Sequence, residues 1–354
     1  FGLMVAQQFR YPHANVFVFD KGYSMLPLVW AAGGQHYDIA GDAEDLAFCP
    51  LAQINNPSEQ AWAAEWLETI LQLQLKDVAI TPAQRQEIYR AVNQLGSTTQ
   101  SMAQRTLTNL AMTLQDEALR AALKPYTLSG LAGHLLDAES DSLAADRFQV
   151  FEMEHLMNKG PMVVLPVLTY LFHRLEQRFK GQPTLLVLDE AWVMLGHPVF
   201  KAKIREWLKV LRKANVAVVF ATQSLSDLTS SGISDVIFES CPTKILLPNA
   251  SAATDVSCPY YEAIGLNKRQ IDILATATPK RDYYVLQPGG RRLFELGLSA
   301  TELSFIGASG KEDIARIRQL RESVGDGWPA AWLRERGLED AADRWESYQR
   351  TALN

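Results

Sequence analysis

Asp189 and Glu190 stand side by side at the end of an apolar run, Leu185-Leu186-Val187-Leu188, and are followed by Ala191-Trp192. An unbroken Leu/Val run of this kind predicts a strand buried on both faces of a sheet. Ligands of open α/β sheets gather outside the carboxyl ends of the strands. Placed there, Asp189 can hold Mg²⁺ through water, and Glu190 can orient or deprotonate an attacking water. Acids after a strand also cap the helix that follows, so the pair alone does not decide. A second run, Asn215-Val216-Ala217-Val218-Val219-Phe220-Ala221-Thr222, ends at Gln223-Ser224. Gln223 can sit between the Glu190 carboxylate and a γ-phosphate and report which nucleotide is bound. Ser224 or Ser226 can at the same time cap a helix that starts near Asp227-Leu228.

Two such strands joined through a helix make the acid pair a Walker B arrangement, with Gln223 as the sensor of a RecA-like ATPase that uses ATP and Mg²⁺. The expected fold is therefore α/β, a RecA-like P-loop NTPase core with a mostly parallel sheet and an all-helical insertion. A phosphate loop, Gly-x-x-x-x-Gly-Lys-Ser/Thr, is absent from the chain. The nearest segment, Gly307-Ala308-Ser309-Gly310-Lys311-Glu312, has Phe305 where the first Gly should be and Glu312 where a hydroxyl should meet Mg²⁺. Phe1 to Phe9 reads as an apolar helix and Asn15 to Asp20 as a strand, the order that follows a phosphate loop in a βαβ unit. The loop is expected upstream, in a longer polypeptide, and the chain as given is expected to be inactive alone.

The elements that must position these residues fall into segments. Residues 1–56 and 146–310 read as the RecA-like core, 57–145 as the helical insertion and 311–354 as a charged helical tail. The insertion carries four expected helices, which start near Ser58 as cap, at Thr81-Pro82, at Ser101 and at Tyr126. A long helix is expected from Met162 to Phe179 and another from Pro198 to Ala214. Late strands are expected at Lys244–Leu247, Tyr283–Gln287 and Arg292–Leu296, the last two turned by Pro288-Gly289-Gly290.

Composition narrows the class. The chain has 354 residues with 47% hydrophobic content, which suits a globular protein. Its longest apolar stretch, Met162 to Phe172, falls short of the roughly 20 residues of a membrane span. Cys49, Cys241 and Cys258 are scattered and make neither a metal spacing nor a disulfide framework, which reads as a reducing cytoplasm. A net charge of −6 argues against a broadly basic nucleic-acid surface, so DNA is a partner that the charge does not indicate. Arg212 and Lys213 close the helix before the Gln223 strand. Ring motors supply a cation from one subunit to the γ-phosphate of the next, and Arg212 is the first choice for that role. Two cations at a helix carboxyl end also complement its dipole. Arg205 reads as a surface residue, and Arg291 and Arg292, after the Gly-Gly turn, could touch nucleotide or be solvated, with solvation favoured.

Assembled, these segments resemble the ATPase domain of the conjugative-transfer, type IV secretion ATPases of the VirB/TrbE/CagE group. The resemblance is carried by Phe19-Asp20-Lys21-Gly22, Leu186 to Trp192, Leu208-Lys209-Val210-Leu211-Arg212-Lys213-Ala214-Asn215 and Val218 to Asp227. It implies an ATP- and Mg²⁺-dependent motor on the cytoplasmic side of the bacterial inner membrane, powering pilus biogenesis and substrate transfer. It further implies Asp189 and Glu190 as the Walker B acids, Gln223 as sensor and Arg212 as the inter-subunit arginine. The implied partners are further copies in a hexameric ring, or dimers that assemble into one, with inner-membrane secretion-complex proteins and other secretion ATPases. Two other readings stay open at this point: a DNA translocase or coupling protein of the same superfamily, and a catalytically silent docking subunit.

Overall fold

Strand β1 (Asn15–Asp20) is buried at every position, as is β4 (Thr184–Leu188), and these two apolar ribbons organise what surrounds them. In chain order, α1 (Gly2–Phe9) precedes β1, which leads to α2 (Leu26–Ala31) and β2 (Gln35–Asp38). Then come α3 (Pro57–Leu75), α4 (Pro82–Thr98), β3 (Phe148–Glu152), α5 (Pro161–Glu176) and β4. Helix α6 (Pro198–Val210) runs into a 3-10 turn, Leu211–Ala214, that delivers β5 (Val216–Phe220). Strands β6 (Lys244–Leu246), β7 (Asp282–Gln287) and β8 (Gly290–Glu295) follow, and the chain closes with α7 (Ala300–Ile306), α8 (Lys311–Val324), α9 (Trp328–Glu335) and α10 (Glu339–Ala352). This computed structural model describes residues 1–41, 46–98, 101–190 and 198–352. Ala191 and Trp192 of the acid motif therefore lie outside the described residues, as do 42–45, 99–100 and 353–354 of the expected segments.

The main sheet has the order β2-β3-β1-β4-β5. β1 pairs parallel with β4, Phe19 opposite Leu188, and β4 pairs parallel with β5, Leu188 opposite Phe220. The strand ends of β1, β4 and β5 are thus level, so the residues that follow each strand emerge along one edge. β5 is the outer strand, and its Ala217 is exposed where β1 and β4 are sealed. A second sheet, β6-β7-β8, is antiparallel, with Pro288-Gly289 turning β7 into β8 as the sequence indicates.

By contacts the chain forms two compact units. One comprises Phe1–His36, Arg147–Val150 and Gly181–Asn354. Its central core is mostly aliphatic, with Val16, Val18, Val29, Val150, Leu185 and Val187 around buried Phe148 and Met25. A second core joins Leu26 of α2 to Phe305, Ile317, Trp328, Trp332 and Leu333 of the closing helices. The segment read as a charged tail is helical, as expected, but its three-to-four-residue apolar periodicity makes it a packed part of this unit. The glycine-rich segment Gly307–Lys311 joins α7 to α8, with no strand before it, so it is not a phosphate loop.

The other unit comprises Tyr37–Asp146 and Phe151–Lys180. Here α3 begins at Pro57, and Asn56 is the cap, its side chain accepting the Glu59 N–H at 2.9 Å. The expectation of Ser58 as cap is corrected: Pro57 suits the first helical position, which leaves the residue before it to cap. Ser101 caps only a 3-10 turn, and a helix proper starts after Thr106. The fourth helix expected at Tyr126 is also corrected. Residues Lys124–Tyr126 form a 3-10 turn and the next helix is Gly133–Leu136, because Thr127, Leu128 and Gly130 close a turn instead. Trp66 ties α3 to α5 by donating its indole N–H to Pro166 O at 3.2 Å and Thr169 Oγ1 at 3.1 Å.

Gly96 allows α4 to approach the loop before α3. A Cβ there would lie 2.2 Å from the Ile54 carbonyl oxygen. Alanine in a helix is ordinarily about 1 kcal/mol better than glycine. The clash with backbone outweighs that gain, so Gly96→Ala is expected to destabilise the protein by about 2 kcal/mol. Urea unfolding measures it; an unchanged or higher midpoint would show that the contact yields freely.

Candidate functional site

β4 stops at Leu188 and the chain turns through Asp189 and Glu190. The Asp189 N–H still donates to Phe19 O at 2.9 Å, which holds Asp189 beside Asp20 at the end of β1. Glu190 sits in the left-handed region, at φ 49, and its N–H donates to Asp189 Oδ1 at 3.1 Å. A non-glycine residue held there costs about 1–2 kcal/mol per residue, a cost that marks a position held by its surroundings. Across the sheet edge, Ala221 N–H donates to Leu188 O at 3.0 Å, which keeps the end of β5 against β4. Thr222 Oγ1 then accepts the Ser224 N–H at 3.1 Å, and Ser224 Oγ accepts the Asp227 N–H at 3.2 Å as the cap of helix Leu225–Ser230. These two bonds bend the chain so that Gln223 points back, and its Nε2 donates to Glu190 Oε1. The capping role of Ser224 and the proximity of Gln223 to the acids are both realised.

Asp189 is pushed up to about 6, chiefly by burial and next by the neighbouring Asp20 carboxylate. The Glu190 N–H bond partly offsets this. Asp20 is itself raised by burial, against which bonds from Ser24 Oγ at 2.6 Å and Met25 N–H at 2.8 Å act. Asp20 is a member of the site that sequence reasoning left without a role. The signal was available: Asn15 to Asp20 is an apolar run ended by an acid, the same pattern as Leu185 to Asp189. What sequence alone lacked was the β1–β4 neighbour relation that makes the two acids adjacent.

Arg212 is placed elsewhere. It is exposed in the 3-10 turn before β5, at the amino end of that strand. The strand's length, about 16 Å for five residues, separates it from Gln223, so Arg212 does not join its own chain's cluster. Arg205 donates to Gly232 O at 3.1 Å, Arg291 donates to Gln270 Oε1 at 2.9 Å, and Arg292 is exposed.

The donor set fits Mg²⁺. Two carboxylates side by side and partly desolvated repel one another, and a cation removes that cost. Among the described residues no cluster of three or more His, Cys, Asp or Glu could cage a metal ion. Mg²⁺ characteristically needs no cage, since it keeps several waters and uses one or two carboxylates plus substrate phosphates. Asp189 binds its proton more tightly folded, at about 6, than at the ordinary 3.8, so its ionisation costs stability above about pH 6 and the cost fades as the pH falls toward 4. Without metal or nucleotide, Asp189→Asn is expected to stabilise the protein at pH 7 by about 1 kcal/mol, the full shift being discounted for partial solvation. The gain should shrink between pH 6 and pH 4. Thermal unfolding across that range checks it, and a destabilised variant at pH 7 would refute the repulsion.

Known proteins share this arrangement of sequence. The model of the TraG P-loop domain matches residues 68–282, more than half of the chain. The chain is 52% identical over 344 residues to a probable conjugal transfer protein TrbE of Sinorhizobium fredii, covering 96% of this chain and 51% of that protein. It is 53% identical over 345 residues to the conjugal transfer protein TrbE of Rhizobium radiobacter, covering 96% and 41%. Against the type IV secretion system protein virB4 of Bartonella henselae, identity is 26% over 338 residues, covering 93% and 42%. The chain thus spans about half the length, or less, of the curated relatives it matches. The structure of VirB4 of Thermoanaerobacter pseudethanolicus superposes with a TM-score of 0.63 at 17% identity, covering 85% of this chain and 86% of that one, which shows a shared fold. With the α/β sheet in place and the family model matching more than half of its length, the chain belongs to the TraG P-loop domain family.

Proposed function

We propose that this chain is the catalytic half of an ATPase motor that serves conjugation or type IV secretion. The observation that carries the reading is the hydrogen bond from Gln223 to Glu190 across the ends of β5 and β4, with Asp189 beside it. Bound Mg²⁺ would neutralise charge on the β- and γ-phosphates of ATP. Asp189 would hold the ion through water. Glu190 would orient the attacking water and accept its proton. Gln223 keeps the Glu190 carboxylate aimed and loses that grip when a γ-phosphate competes for its amide, which makes it a sensor.

The phosphate loop would lie in a segment that leads into α1. Two observations support this. The amino end of α1 is within electrostatic range of Asp189, where a helix start favours phosphate. β5 is an outer strand whose Ala217 is exposed, which leaves an edge for one more strand. Arg212, too far from its own cluster, would serve the site of a neighbouring copy in a ring. Residues 57–145 would be the helical insertion of the motor. Secretion-complex proteins at the inner membrane would be its docking partners, and the docking would be peripheral. No helix among the described residues is long and apolar enough to cross a membrane.

ATP hydrolysis by the intact protein, with and without single-stranded DNA, tests the reading. Activity that DNA leaves unchanged supports a secretion motor. Strong stimulation by DNA that falls steeply with salt would replace it with a translocase. Arg212→Ala is expected to lower kcat about 10³-fold while leaving ATP binding intact. Mixing it with Glu190→Gln subunits should restore part of the activity, because some interfaces then join the intact Glu190 of one subunit to the intact Arg212 of the next. No restoration would remove Arg212 from the trans role.

A further inference from the structure

Arg318 and Arg321 lie one helical turn apart on α8, with about 5–6 Å between Cβ atoms, and both are exposed. Each guanidinium covers an aromatic ring from the stretch between β1 and β2. Arg318 is 4.9 Å from the Tyr23 ring centre and Arg321 is 4.1 Å from that of Trp30. His36 completes the shelf: it stacks on Tyr23 at 5.8 Å and meets Trp30 edge-on at 6.3 Å. Elsewhere in the closing helices, Arg316, Arg334, Arg336 and Arg350 each pair with an acid. Arg318 and Arg321 have no ion-pair partner among the described residues. The His36 Nε2 is buried with no hydrogen-bond partner. Burial first, and then the two guanidiniums, hold that imidazole down to about 3, so it is a neutral part of the shelf.

A guanidinium that stacks through its face keeps its in-plane N–H donors available. Two such forks one helical turn apart, with no acid paired to either among the described residues, repel each other and leave their charge open to an anion. We propose that Arg318 and Arg321, seated on Tyr23, His36 and Trp30, form a phosphate-binding site outside the Asp189–Glu190–Gln223 cluster. A phosphoryl group matches it better than a carboxylate does, because it offers enough oxygens for both forks and enough charge for both cations. The group is either free phosphate or the headgroup of an anionic lipid. The site stands independently of the ATPase reading.

The test uses the intact protein in saturating Mg-ADP, so that any nucleotide site is already filled. Its melting temperature is followed in inorganic phosphate against chloride at matched ionic strength. Sedimentation with phosphatidylglycerol vesicles is compared with phosphatidylcholine. Stabilisation by phosphate without vesicle binding identifies free phosphate, and selective sedimentation identifies the lipid headgroup. Either response should weaken at least about tenfold in Arg318→Gln/Arg321→Gln. Arg318→Lys/Arg321→Lys, which keeps the charge and loses the fork, should fall between, and it serves if the glutamine pair does not fold. Absence of both responses in the wild type, or equal responses in the variants, overturns the site. Binding of a single-stranded oligonucleotide alone also overturns it, in favour of a nucleic-acid track.

Discussion

Glu190→Gln is expected to lower the ATPase rate of the intact protein by about 10²–10⁴-fold, the usual worth of a positioned general base. The substitution keeps the side chain's length and keeps an oxygen that can accept from Gln223, whose Nε2 donates to Glu190 Oε1. The turn at φ 49 is a backbone property and is unaffected. What is lost is the negative charge that takes a proton from water. Nucleotide binding should persist, because Asp189 and the proposed phosphate loop are untouched. The melting temperature should change little, since Glu190 is only half-buried. A kcat within threefold of wild type would remove Glu190 as the base. Gln223→Ala separates two roles. If Gln223 only aims Glu190, the loss should be about tenfold and the nucleotide affinity unchanged.

The second large effect concerns stability. Trp332→Ala is expected to cost about 3–5 kcal/mol, the range for removing a buried aromatic side chain. Trp332 is 4% exposed and sits in the core shared by α2 and the closing helices. Its indole N–H donates to Ser304 O at 2.8 Å, so truncation also leaves a buried carbonyl without its donor. Against a total stability of about 5–15 kcal/mol, this would unfold a large share of molecules near physiological temperature. Urea unfolding followed by circular dichroism reads it as a lower midpoint. The contrast is Arg334→Ala, which breaks exposed pairs with Asp343 at 2.9 Å and Glu346 at 2.6 Å. Exposed pairs contribute about 0–1 kcal/mol, so that variant should stay within about 1 kcal/mol of wild type. Equal losses in the two variants would mean that charge, not the tryptophan core, holds the closing helices.

Much of the fold was legible because its strongest signals are local. The runs ending at Asp20 and Asp189 are apolar without alternation, the composition of strands buried on both faces, and β1 and β4 are buried throughout. The run before Gln223 has the same composition, though β5 is an outer strand and only partly buried. The late hairpin follows from Pro288-Gly289 between two alternating segments. Helix starts were less legible where several small polar residues compete. Asn56 and Ser58 are both good caps, and Pro57 between them decides for Asn56 through its fixed φ. Tyr126 to Gly130 has the composition of a helix start, yet Gly130 packs so closely on the Lys124 carbonyl oxygen that a Cβ would lie 2.3 Å away. That close local turn shows only once the chain is folded.

The sequence by itself determined which polar groups close the apolar strands: Asp20 after β1, Asp189 and Glu190 after β4, and Gln223 shortly after β5, because residue type and strand period are written in the chain. Tertiary structure alone decided adjacency. Strand order placed Asp20 against Asp189 and Gln223 against Glu190, and it left Arg212 at the far end of β5. It also drew the closing helices onto α2, where Arg318 and Arg321 found Tyr23 and Trp30. Pairing of strands far apart in sequence depends on which buried surfaces match, and one chain read residue by residue carries the surfaces without stating the match.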